Sequence, residues 1–263
     1  MIYVCIPSRN EAPTVGLLLW KIRQVFAAFP REYQLLVLDD GSTDSTAEVL
    51  EPYARVLPLT VVRRASPQGY AASVEELMRK AVELTDRPKR DAAILMHADF
   101  AHNPQILPDL VRRIESGADL VVAEGQLAGE PSRGYRFLRR HAPALLRGVV
   151  AVPTVKDLVS GYAAIRLVAL RNAIRSQAGH LLHTDGWAAN AELFWRTARY
   201  ARRVETVSSI ERHDLRSRAS RIHPWEAATC LWAARRVLRA TPVPPAPSEP
   251  SPRREAEPQA VAP

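Results

Sequence analysis

Residues 33–50, YQLLVLDDGSTDSTAEVL, hold the clearest fold signal in the chain. An unbroken run of Leu and Val bounded by Asp and Gly reads as a strand buried on both faces, as in a parallel sheet. The Asp-Gly-Ser-Thr-Asp turn that follows ends the strand and places Thr43 or Asp44 to cap a helix over 43–50.

The same unit recurs on either side. IYVCIP, LTVVRR, DAAILMHAD and ADLVVAEG are further short apolar runs closed by Pro, Gly, Asp or Ser. Between them, residues 11–28 carry Val15, Leu18, Leu19, Ile22 and Val25 at helical spacing, and 70–84 and 104–115 repeat the pattern. This βαβ alternation predicts a doubly wound, Rossmann-like, mostly parallel sheet flanked by helices, with its ligand beyond the carboxyl ends of the strands. Residues 1–222 are expected to form the catalytic domain and 223–240 an amphipathic helix. The Pro-, Ala-, Ser- and Glu-rich segment 241–263 has too few large apolar residues to offset its ordering entropy, and disorder is expected there.

The chain has 263 residues, an apolar fraction of 47% and a formal net charge of +8, enough for one full α/β core. No apolar run reaches the roughly 18 residues of a membrane span, and IYVCIP follows the first Met without a charged region or cleavage site, so a cytoplasmic protein is expected. Cys5 and Cys230 show no metal-ligand spacing and read as buried thiols. The positive charge predicts phosphate partners. Arginines interleaved with apolar residues in SRGYRFLRRHAPALLR and ERHDLRSRASRIH, without zinc-finger or RNP patterns, argue against nucleic acid and for a membrane surface or a polyphosphate.

PSRNE, DDGSTDST and HADFAHNP end the first, second and fourth of these strands, so their carboxylates converge on one sheet edge. Such clustering is costly without a positive partner. A divalent cation carrying a diphosphate, with carboxylates on the nucleoside, would satisfy it. The absence of GxGxxG and GxxxxGK[ST] after the first strand argues against a dinucleotide dehydrogenase and a P-loop NTPase.

Taken in order, IPSRNEAPTV, LVLDDGSTDST, GYAAS, HADFAHNP, DLVSGYAAIR and AELFWRTARYARRVETV resemble family-2 glycosyltransferases of GT-A fold over about residues 1–221. The branch that uses dolichyl or other polyprenyl phosphates is the most similar. The resemblance implies an inverting transferase with a nucleotide-diphospho-sugar donor. It places Pro7, Arg9, Glu11 and Asp40 at the base and ribose, with Asp39 in support and Gly69 and Ala98 also on the donor. Against the family's DADLQHPP, HADFAHNP puts His97 at the first aspartate, keeps Asp99 and has Ala101 at a polar position. Asp99 is then the expected ligand of Mg²⁺ or Mn²⁺. His97 is a second ligand, which would favour Mn²⁺, or a donor to phosphate, or a satisfied histidine at a strand end. His102 reads as structural.

Lys156–Tyr162 matches KDPVSGF with Leu158 in place of proline, which makes Asp157 a candidate base and sets Ser160 and Gly161 at the sugar. Asp185 and Glu192 are its rivals. A phosphate monoester is already a nucleophile at neutral pH, so a base is dispensable for such an acceptor. ERHDLRSRASR is similar to the family's phosphate-covering segment, with Arg212, Arg216, Ser220 and Arg221 at comparable places, though it lacks the family's glycine. Residues 133–150 and 223–239 combine apolar faces with arginine, the second with Trp225 and Trp232, and suit either the inner membrane surface or packing on the domain. Three readings stay open: transfer to polyprenyl phosphate, transfer to a small-molecule, peptide or glycan acceptor, and nucleotide-sugar binding without catalysis. Sequence is silent on oligomeric state.

Overall fold

The computed structural model describes residues 1–129, 133–146, 148–212 and 224–240. Arg216, Ser220, Arg221 and the segment 241–263 lie outside them, so the expectations placed there stay as expectations. The elements run β1 (Ile2–Ser8), α1 (Val15–Ala28), β2 (Tyr33–Asp39), α2 (Thr46–Val56), β3 (Leu59–Arg63), α3 (Tyr70–Leu84) and β4 (Ala92–Leu95). A 3₁₀ turn (Pro104–Ile106) leads into α4 (Leu107–Glu115), β5 (Leu120–Ala128), α5 (Arg133–Leu146) and β6 (Ala163–Arg166). The chain continues through α6 (Leu167–Arg175), α7 (Gly186–Ala198), β7 (Val204–Arg212) and α8 (Pro224–Ala240).

The strands form one seven-stranded sheet in the order β3-β2-β1-β4-β6-β5-β7. All pairings are parallel except those of β6, which runs antiparallel to both β4 and β5. The mostly parallel α/β sheet is therefore as expected, while β6 and β7 were not read as strands. Because β6 is reversed, the loop that precedes it lies on the same edge as the carboxyl ends of the other strands. That places residues 157–161 beside the expected ligand site.

Register brings the site loops level. Ser8 pairs with Asp39 and Cys5 with Leu95, so the residues after β1, β2 and β4 emerge side by side. Along β1, Tyr3 and Cys5 enter the core under α3, α5, α6, α7 and α8, and Ile2, Val4 and Ile6 enter the core under α1, α2 and α4. This period of two follows from the pleat. Each fully buried Leu or Ile contributes about 1.5–3 kcal/mol.

Helix α2 starts at Thr46, later than expected, because the Asp44 carboxylate accepts from the Thr46 N–H (3.0 Å) and hydroxyl. Helix α8 packs on α5 and α7 through Leu231, Ala234 and Leu238, leaving Trp225 and Trp232 exposed. Cys5 is buried as expected, and burial raises its thiol pKa. Cys230 is exposed, which corrects the buried reading: it lies on α8 where that helix lines a cleft.

Candidate active site

The loops after β1 and β2 are tied together by side chains. Asn10, held at a positive φ of 51°, donates its N–H to Ser42 Oγ (2.8 Å), and its Oδ1 accepts from the Thr43 N–H (2.8 Å). The Glu11 N–H donates to Thr46 Oγ1 (2.9 Å), and Glu11 Oε2 accepts from the Thr14 hydroxyl. Asp39 closes the turn by accepting from the Ser42 N–H (3.1 Å). Gly41 has φ +63°, and a Cβ there would lie 2.7 Å from the Pro67 nitrogen, so only glycine fits this crossing.

Asp40 is buried and accepts from the Gln68 N–H, the Gly69 N–H and Arg64 Nη1, each at 2.9 Å. Burial opposes its charge, but the two backbone donors and the guanidinium prevail and hold its carboxyl below the ordinary range. Asp40 thus pins the start of α3 against β2, and with about four lone-pair sites a carboxylate can accept one bond more.

At the end of β4, the Tyr70 hydroxyl donates to Asn190 Oδ1 (2.8 Å) and lies 2.9 Å from His97 Nε2. Asn190 Nδ2 donates to the Val159 carbonyl (2.9 Å), which fixes Oδ1 as the acceptor. With its single proton spent on Asn190, Tyr70 must accept from His97, so His97 Nε2 carries hydrogen. A metal could reach this ring only through Nδ1. The Asp99 carboxylate accepts from the Ala101 N–H (3.1 Å). Gly161, at φ +76°, passes so close to Asn190 that a Cβ would lie 2.6 Å from Nδ2.

Asp157 sits behind this layer. Arg139 Nη1 and Nη2 grip its two oxygens at 2.5 Å, and the Gly125, Val159 and Ser160 N–H groups also donate to it. Arg139 reaches Glu211 as well (3.2 Å), and Glu211 accepts from Tyr135. A carboxylate so saturated organises the 157–161 loop. Glu192 is fully buried and accepts from the His183 and Thr184 N–H groups, the Thr184 hydroxyl and Arg196, so it too is a fold element. Asp185 differs. It is exposed, caps α7 through Gly186 N–H (2.8 Å) and receives the Ala71 N–H of α3 (2.9 Å).

These elements enclose a cleft of about 510 Å³. Its sheet side carries Pro7, Arg9, Glu11, Asp40, His97 and Asp99, with Ala98 and Gly69 beside them. Asp185 lines the cleft next to Gly69, whose added Cβ would lie 3.4 Å from Asp185 Oδ2, and α7 and α8 supply Trp187, Ala188, Ala227 and Leu231 as an apolar wall. Asp39, Asp157, Ser160 and Gly161 do not line the cleft and support it from behind. Arg212 is placed by its backbone at the end of β7. Reading the sequence missed Ser8, Arg64, Tyr70, Arg139 and Asn190. Tyr70 stood in a quoted motif, but only the fold aims its hydroxyl at His97.

The donor set suits a hard divalent cation as a partial shell. Asp99 offers oxygen on the cleft, and Mg²⁺-type sites often take one or two carboxylates and leave the rest to phosphate and water. Among the described residues, no cluster of three or more His, Cys, Asp and Glu could hold a metal by itself.

The profile described as Glycosyl transferase family 2 matches residues 3–174. A dolichol-phosphate mannosyltransferase of Pyrococcus furiosus is 27% identical over 62% of this chain, which spans 45% of that protein. A polyprenol monophosphomannose synthase of Mycolicibacterium smegmatis is 24% identical over 90% of this chain and 91% of its own length. Among solved structures, glucosyl-3-phosphoglycerate synthase of Mycobacterium tuberculosis superposes with TM-score 0.59 at 20% identity, covering 92% of this chain and 81% of that one. The same enzyme has been captured with Mn²⁺, uridine diphosphate and phosphoglyceric acid. The S. aureus TarS fragment bound to UDP-GlcNAc superposes at TM-score 0.55 and 14% identity over 85% of this chain and 60% of its own. With a carboxylate-lined cleft at the carboxyl edge of a sheet interrupted by one reversed strand, and a family match over most of that sheet, the chain belongs to glycosyl transferase family 2.

Proposed function

We propose that the protein is an inverting glycosyltransferase that moves a sugar from a nucleotide-diphospho-sugar to polyprenyl phosphate. The observation that carries this reading is the two-sided cleft, with Asp40, Glu11 and Asp99 on the sheet side and an apolar wall from α7 and α8 opposite. The polar side suits a nucleoside and diphosphate, and the apolar wall suits the first isoprene units of a lipid acceptor. The names of the Pyrococcus and Mycolicibacterium relatives support a polyprenyl acceptor.

In this reading Glu11 and the remaining acceptor capacity of Asp40 meet the nucleoside, since ionised acceptors form the stronger hydrogen bonds. Asp99 would hold Mg²⁺ or Mn²⁺, and His97 could add Nδ1, a nitrogen that suits Mn²⁺ better. When bound, that ion supplies positive charge to the leaving diphosphate. A single displacement at the anomeric carbon inverts it. The acceptor phosphate is ionised at neutral pH, so Asp185 would orient the acceptor, and Asp157, with both oxygens held by Arg139, has no proton to take. The exposed Trp225 and Trp232 of α8 and Phe137 of α5 would rest in the headgroup layer as a peripheral attachment. No described helix is long and apolar enough to cross a membrane.

The test is transfer of label from GDP- and UDP-sugars to polyprenyl phosphate in detergent with Mn²⁺. Labelled lipid is the expected product. Label released only to soluble acceptors would replace the lipid reading, and nucleotide binding without any turnover would make the protein a binder.

A further inference from the structure

His102 occupies a place that neither packing nor the proposed chemistry requires of a histidine. It is buried, with its ring stacked between His97 (centroids 4.3 Å apart) and Tyr162 (4.5 Å). Its Nδ1 accepts from the His97 backbone N–H at 3.1 Å, and its Nε2 lies 3.0 Å from the Ser160 carbonyl oxygen. An amide can only donate and a carbonyl can only accept, so Nδ1 is bare and Nε2 carries hydrogen. The ring is therefore neutral and in one tautomer. Burial, and after it the neighbouring His97, agree, holding its pKa well below the ordinary histidine value.

The two contacts belong to different loops. The His97 N–H opens the segment that carries Asp99 into the cleft. Ser160 belongs to the segment before β6, where its own N–H donates to Asp157 (3.1 Å) and Asp157 is gripped by Arg139 of α5. An unbroken series of contacts thus runs Arg139, Asp157, Ser160, His102, His97. Next to it, Phe100 holds a positive φ of 61°, which side chains with a Cβ rarely adopt. Such a conformation persists only where the surroundings over-determine it. Here the buried Phe100 ring and the doubly bonded His102 flank it.

We infer that His102 is a positioning residue that fixes the His97–Asp99 loop against the 157–161 loop, so that Asp99 is held where donor and metal meet. Asp157 and Arg139 are the far end of the same brace. This rests on the proposed reading of the cleft as a donor site.

The test compares His102→Phe, which keeps a flat ring and loses both hydrogen bonds, with His102→Asn, whose amide oxygen can stand near Nδ1 and accept from His97. GDP and UDP are titrated calorimetrically into each protein with and without Mn²⁺. In His102→Phe the gain in nucleotide affinity that Mn²⁺ brings should fall about tenfold, the scale of one buried amide left unpaired, while metal-free affinity holds. His102→Asn should recover much of the gain. Full retention by His102→Phe, or His102→Asn no better than His102→Phe, would overturn the inference. Should His102→Phe fail to fold, imidazole ¹⁵N spectra of the wild type decide: Nδ1 bare and Nε2 protonated at neutral pH is expected, and the opposite tautomer or a charged ring refutes it. If wild type binds neither nucleotide, the proposed function fails, and the ¹⁵N spectra still judge the brace separately.

Discussion

Arg139 holds both carboxylate oxygens of Asp157 in a two-pronged contact, 2.5 Å on each side, with both side chains nearly sealed from solvent. Asp157→Asn would leave Arg139 with a single full carboxylate, Glu211. Breaking one partner of a buried pair costs about 3–5 kcal/mol. Urea unfolding of Asp157→Asn should show a loss of that order. A variant that keeps its stability and loses sugar transfer would mark Asp157 as a chemical base instead.

Asp99→Ala should abolish the part of nucleotide binding that depends on Mn²⁺ and change stability by less than about 1 kcal/mol, because the carboxylate stands on the cleft and outside the core. Thermal shifts with GDP and UDP, each with and without Mn²⁺, read this directly. Equal shifts in variant and wild type would remove Asp99 from the metal.

Ser8 lies on the cleft at the end of β1, and its buried hydroxyl has no hydrogen-bond partner among the described residues. A buried hydroxyl without a partner contributes nothing to offset its desolvation. Ser8→Ala should therefore keep or raise the melting temperature of the free protein. A clear fall would show that the hydroxyl is bonded after all.

Glu75 accepts from the Leu182 N–H (3.0 Å), the Leu181 N–H (2.9 Å) and Arg79, and anchors the loop that leads to Asp185. Burial raises its pKa, but these donors outweigh burial and leave its carboxyl below the ordinary value. A carboxyl depressed on folding stabilises above the unfolded pKa of about 4.3, and that stability is lost as pH falls through the folded pKa. Wild type should lose stability steeply below about pH 4, and Glu75→Gln should start lower and show a shallower acid slope. Parallel slopes in urea midpoints between pH 3 and 6 would contradict this.

Gly161→Ala should destabilise the protein by more than about 1 kcal/mol, since it combines a positive φ with a Cβ 2.6 Å from Asn190 Nδ2. Displacing Asn190 also releases Tyr70 from its acceptor, so nucleotide affinity should fall with stability. Chemical denaturation and calorimetry on one preparation check both.

Strands β1 to β5 were legible because each is an apolar run ended by a turn residue, and local chemistry alone marks such runs. Strand β6, with only Ala163–Arg166, is too short to announce itself, and β7 mixes Glu, Thr and Ser into its run. The edge where the carboxylate loops after β1, β2 and β4 gather could be named beforehand because parallel strands deliver their carboxyl-end loops to one edge, and the family resemblance singled out Pro7, Arg9, Glu11, Asp40, Asp99 and Asp185, which line the cleft. The position of Asp157 behind the cleft could not, since its partner Arg139 comes from a separate helix.

Local pattern was therefore enough for the α/β alternation, the edge at which ligands bind and the acidic residues that reach it, because these depend on near neighbours in the chain. The proton on His97 Nε2, the tautomer of His102 and the burial of Asp157 were decided in three dimensions. Each depends on one acceptor or donor brought from a distant segment, Asn190, Ser160 and Arg139 respectively. A side chain's residue type sets what it can do, and the partner that folding places within hydrogen-bond reach settles which of those things it does.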